Sequence, residues 1–169
     1  LVEKFGDRVM PREHEWDSRW WSPIINAEHL QLREAGAVVD LTAFAMFDVV
    51  GPAALEAVER IIVAKADVPV GLVVYTPVLD ERGGFRSDLT VMRLEHDRFR
   101  VVTGGAHGMV DYKWFKDRMP RGAACVDVTS AWTTVGLWGP RARDVLGSMT
   151  RADLSPEGFR FATCQLIEV

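Results

Sequence analysis

Tyr75-Thr76-Pro77-Val78-Leu79-Asp80-Glu81-Arg82-Gly83-Gly84-Phe85-Arg86-Ser87-Asp88-Leu89-Thr90-Val91-Met92-Arg93-Leu94 is the stretch on which the fold turns. Two runs rich in β-branched and apolar residues flank a polar turn that ends in Gly-Gly, the pattern of adjacent antiparallel strands. Beyond the turn, alternation sets Arg86, Asp88, Thr90, Met92 and Leu94 on one face. Glu95-His96-Asp97 then reverses the chain into 98–102. Residues 85–102 are therefore read as a hairpin central in an antiparallel sheet, with Asp88 at a cleft and 70–79 as a strand bent near Pro77.

Working outward, Ser22-Pro23 supplies an N-cap and a first-turn proline, and Ile24, Ile25, Ala27, Leu30 and Leu32 carry the helix to Gly36. Strands are expected at 37–41 and 44–50. Gly51-Pro52 opens a second helix with Ala53, Leu55, Val58, Ile61 and Ile62 on its apolar stripe. A third helix is expected over 105–119, strands at 125–129 and 133–137, and a last helix after Gly139-Pro140. Strands and helices mix without regular βαβ alternation, so the class is α+β with a mainly antiparallel sheet and packed helices. The repeated Gly-Pro starter suggests two related β-α-β halves of ferredoxin-like type. Residues 1–21, with Trp16, Trp20 and Trp21, read as an irregular arm before a domain over 22–169. The chain opens at Leu1, and Gln165-Leu166-Ile167-Glu168-Val169 alternates like the start of a strand, so the expectation is a C-terminally truncated piece of a longer polypeptide.

The 169 residues include 48% hydrophobic and 26% charged side chains, which is globular rather than disordered composition. A net charge of −4 lacks the basic footprint of a dedicated nucleic-acid binder. No apolar run is long enough for a membrane helix, and no signal segment opens the chain. Cys125 and Cys164 make neither a disulfide framework nor a CxxC pair, which points to a reducing, cytoplasmic setting and to small core side chains.

Asp88 is the sharpest candidate for chemistry. Aspartate is depleted in strands, and this one shares its face with Met92 and Leu94. It is either a structural partner of Arg86 or Thr90, or a carboxylate that holds or moves a proton for a bound base. Val101-Val102-Thr103-Gly104-Gly105-Ala106-His107-Gly108 runs from strand to glycines to helix, but Thr103 replaces the first glycine of a dinucleotide fingerprint. His14, His29, His96 and His107 show no metal-ligand spacing, and Glu13-His14-Glu15 reads as a solvated charge cluster.

The stretch from Val74 to Val91 resembles the aminomethyltransferase (glycine-cleavage T-protein) superfamily, and within it the folate-binding part of dimethylglycine oxidases and sarcosine dehydrogenases. Ser22-Pro23-Ile24 with Glu28-His29, Arg33 and Asp40-Leu41-Thr42 is similar to the family's opening helix and strand. Phe99-Arg100-Val101-Val102-Thr103-Gly104 and Gly136-Leu137-Trp138-Gly139-Pro140-Arg141-Ala142-Arg143 are similar to two later blocks. The resemblance implies a T-protein fold, of which this chain is the N-terminal part, and tetrahydrofolate-dependent one-carbon transfer from a methylated amine or glycine derivative. It makes Asp88 the catalytic carboxylate beside the pterin nitrogen and puts Tyr75, Gly83 and Gly84 near the folate. Thr90 joins them on Asp88's face. Thr103 stands where T-proteins carry asparagine and Phe44 where they carry methionine, and both complete the expected folate-binding set. The acidic tail of a folate is expected to meet one of Arg86, Arg93 or Lys113. FAD is implied only where a flavin module lies upstream. The implied partners are small molecules and a partner domain or second copy, with neither nucleic acid nor membrane. The alternative within the superfamily is a folate-binding factor without turnover, of the iron–sulfur assembly type.

Overall fold

The structure, a computed structural model, describes residues 1–9 and 20–169. A short helix α1 (Val2–Phe5) and a 3₁₀ turn (Gly6–Arg8) open the chain where composition predicts an irregular arm. Trp16 and the Glu13-His14-Glu15 cluster lie outside the described residues. Helix α2 (Pro23–Glu34) begins as expected: Ser22 Oγ accepts the Ile25 N–H at 3.4 Å, and Pro23 has no N–H to leave unpaired. Lys4 donates to Gln31 at 2.6 Å and Arg8 pairs with Glu34, tying the opening turns to α2.

The chain forms two compact units. The first takes Leu1–Asp40, Val135–Ala152 and Glu168–Val169. It holds α1, α2 and the antiparallel pair β1 (Ala37–Asp40) and β7 (Val135–Trp138), with Val38 opposite Leu137. Helix α5 (Ala142–Gly147) follows Gly139-Pro140.

The second unit, Leu41–Thr134 with Asp153–Ile167, carries the candidate residues. Its strands are β2 (Ala45–Val50), β3 (Val73–Leu79), β4 (Phe85–Glu95), β5 (Arg98–Thr103) and β6 (Ala124–Asp127), in the order β3-β4-β5-β2-β6. All neighbours are antiparallel, and the expected hairpin lies inside the sheet. Helices α3 (Ala54–Glu59) and α4 (Gly108–Lys116) supply Ala54, Ala57, Val58 and Phe115 to one core with Phe47, Val49, Leu89, Val91, Phe99 and Val101. Phe47 and Phe115 meet edge-on, with ring centroids 5.0 Å apart. Ile61 and Ile62 reach the same core from beyond the end of α3, where the sequence predicts more helix.

Two other expectations fail. Strand β6 stops at Asp127, because the Asp127 carboxylate accepts the Thr129 N–H at 2.9 Å and starts a 3₁₀ turn over Thr129–Ala131. Gln165–Val169 forms no strand, and the last pairing before it is an isolated bridge between Leu72 and Thr163. Pro77 is accommodated in register opposite Asp88, because β3 is an edge strand and can spare the N–H. The irregularity expected at Pro77 falls instead between Val78 and Leu79, where Arg86 is the extra residue on β4.

Candidate functional site

Alternation along β4 buries Ser87, Leu89, Val91 and Arg93 against the helix side and turns Asp88, Thr90, Met92 and Leu94 to the other face. Register then decides what meets Asp88. Tyr75 on β3 stands opposite Thr90, and Thr90 stands opposite Val102 on β5. The Tyr75 ring lies diagonally toward Asp88 and its hydroxyl donates to Asp88 Oδ2. That hydrogen bond raises the phenol above its ordinary pKa, since a phenolate would face the carboxylate. Tyr75 is 69% exposed, and Asp88 is also exposed rather than sunk in a cleft. Phe44, half-buried, precedes Ala45, which pairs with Thr103, so it sits at this same end of the sheet.

Other expected members are placed differently. Thr103 is 4% exposed, and its hydroxyl donates at 2.6 Å to Asp111 of α4, inside the helix-covered side. The glycines have a local reason. Asp80 Oδ1 accepts the N–H groups of both Arg82 and Gly84 at 2.8 Å, which holds the Asp80 carboxyl below its usual pKa. Gly83 adopts φ +77°, and a Cβ on Gly84 would stand 2.7 Å from Asp80 Oδ2. Gly105 likewise leaves room for the Ala43 carbonyl, 2.0 Å from where its Cβ would be, so this glycine before α4 serves chain packing.

Arg86 is not the partner of Asp88. Shifted by the bulge, it stacks 3.7 Å from the ring centroid of Trp114 on α4, with Arg118 on the same ring at 3.1 Å. Arg93 is committed to Asp67 at 2.9 Å and to the Val68 carbonyl, and Lys113 to Asp117 at 2.6 Å. Sequence reading missed Asp48 on β2. It is 2% exposed, receives Arg100 Nε at 2.8 Å and Arg98 Nη2 at 2.7 Å, and faces the same side as Asp88. Burial pushes its carboxyl up, but the hydrogen bonds from Arg100 and Arg98 outweigh burial and hold it below the usual range. Farther along that face a cavity of about 510 Å³ is lined by Met92, Leu94, Arg100, Trp132, Cys164 and Leu166. Burial pushes the Cys125 thiol up to about 12, so it stays protonated. Among the described residues no cluster of His, Cys, Asp and Glu could hold a metal, and no helix is long and apolar enough to cross a membrane.

An antiparallel sheet backed by helices on one face, with the exposed carboxylate of Asp88 on the other, defines an α+β domain. The GCVT N-terminal domain family matches residues 2–169, and the chain belongs to it. It is 36% identical over 151 residues to the 4-methylaminobutanoate oxidase (formaldehyde-forming) of Paenarthrobacter nicotinovorans, covering 88% of this chain and 18% of that protein. It is 31% identical over 153 residues to the mitochondrial pyruvate dehydrogenase phosphatase regulatory subunit of Mus musculus, covering 88% and 17%. The solved structure of the glycine cleavage system aminomethyltransferase T from Bartonella henselae superposes with a TM-score of 0.72 at 26% identity, over 81% of this chain and 37% of that one.

Proposed function

We propose that this domain serves tetrahydrofolate-dependent one-carbon transfer, with a methylated amine, or the iminium made by its oxidation, as donor. The single observation that carries the reading is Asp88, an ionisable acceptor on an open strand face beside the Tyr75 ring and Thr90. A flat heterocycle with an N–H fits these groups, with an acceptor for its proton, an exposed aromatic ring beside it and Phe44 at the same end. Family membership and the amine-oxidising relative support the same class of chemistry.

Tetrahydrofolate, when bound, supplies the nucleophilic nitrogen. Asp88 then stabilises the cationic iminium donor and takes the proton released as the new carbon–nitrogen bond forms. Returning that proton to the donor nitrogen lets the donor's own carbon–nitrogen bond break and the demethylated amine leave. At about 4 Å and an effective dielectric near 20, a carboxylate and an iminium attract by roughly 4 kcal/mol. Positioning of the two reactants on one sheet face contributes more.

Asp88→Asn keeps the shape but removes charge and acceptor. In the intact protein, turnover with tetrahydrofolate and methylated glycines is expected to fall about 10²–10⁴-fold, with tetrahydrofolate affinity changed much less. Unchanged turnover at an unchanged melting temperature would sink the assignment. The relative named as a regulatory subunit favours a second reading, folate binding without turnover. Tight binding of tetrahydrofolate with no product from any methylated amine would select it.

A further inference from the structure

We infer that Tyr75 is a positioning residue whose hydroxyl pins one oxygen of Asp88 and leaves the other aimed at the ligand. The inference rests on the reading of Asp88 as the proton acceptor. An aspartate on an exposed strand has three staggered χ1 wells open to it and little packing to choose among them. Pro77, directly opposite on β3, offers no side-chain hydrogen bond. Thr90 is two residues along the same strand, and Arg86 is turned to Trp114. Tyr75 is the hydrogen-bond partner that Asp88 has among the described residues.

The reach is set by sheet geometry. Tyr75 lies opposite Thr90, which makes Asp88 its diagonal neighbour, about 7–8 Å away by backbone and within the span of an aromatic side chain. A phenol in that position donates and leaves the carboxylate as acceptor, so one oxygen is occupied and the other remains available. Misplacing a catalytic group by an ångström can cost up to about 10²-fold in rate, so orientation at an open site needs a device of this kind. Tyr75 is 69% exposed on an edge strand, so the hydroxyl contributes little to folding.

Tyr75→Phe, Tyr75→Ala and Asp88→Asn in the intact protein separate the roles. Positioning through the hydroxyl predicts that Tyr75→Phe lowers kcat about tenfold while KM for tetrahydrofolate stays within about twofold. A mere ring contact predicts that Phe is silent and only Ala raises KM, which would overturn the inference. An ultraviolet alkaline titration, read as wild type minus Tyr75→Phe, follows the Tyr75 phenol without any turnover. In Asp88→Asn that phenol is expected to ionise at lower pH than in wild type, and an unmoved titration would also overturn the inference. If Asp88→Asn abolishes turnover while Tyr75→Phe retains it, this inference fails and the proposed function stands. If Asp88→Asn turns over normally, the proposed function fails first.

Discussion

Asp48 is 2% exposed between two guanidinium groups, whereas Asp88 stands in the open with a phenol. Removing one partner of a buried ion pair strands the other, so Asp48→Ala is expected to cost about 3–5 kcal/mol in denaturant unfolding. Because the folded carboxyl is held below its unfolded value, its contribution is complete above the unfolded pKa, about 3.9. The contribution is lost as pH falls from there through the folded pKa. Asp48→Asn should therefore flatten the acid limb of the stability–pH curve, and an unchanged limb would refute the assignment. The sequence reading singles out Asp88 and passes over Asp48, although both are acids inside apolar strands. What it hides is the environment: the arginines that hold Asp48 are 50 and 52 residues away. No local pattern names them, nor does any join Thr103 to Asp111 in the core.

At the scale of elements, the turn after β3 shows how a structural device can look like a ligand cradle. Gly83 needs its positive φ, and Asp80 ties the turn together from within. Gly83→Ala is expected to lower stability by about 1 kcal/mol and leave KM for tetrahydrofolate unchanged. A raised KM at unchanged melting temperature would mean instead that ligand backbone approach is what the glycine serves. Strands β3, β4 and β5 were legible because alternation and turn residues agree there. Alternation failed at 165–169, where a period-two run finds no partner strand among the described residues. It also misassigned Arg86, because a bulge shifts side chains by one residue without a mark in the sequence.

At the scale of the whole molecule, the order β3-β4-β5-β2-β6 has a consequence in time. Strands β3, β4 and β5 are joined by short turns and can pair as a meander at little entropic cost. Strand β2 must find β5 across some fifty residues and β6 across more than seventy, and such closures slow folding. A nucleus built on Leu89, Val91 and Val101 would thus precede the docking of β2. Substitutions such as Leu89→Ala should then slow refolding, whereas Asp48→Asn should leave the refolding rate alone and hasten unfolding, because its arginines wait on β5 for the strand that arrives late. Stopped-flow chevrons of the two variants would tell, and a slowed refolding limb for Asp48→Asn would place β2 early. On this order of events Asp48 acts as a latch: it governs how long the finished sheet stays closed rather than how quickly it is made.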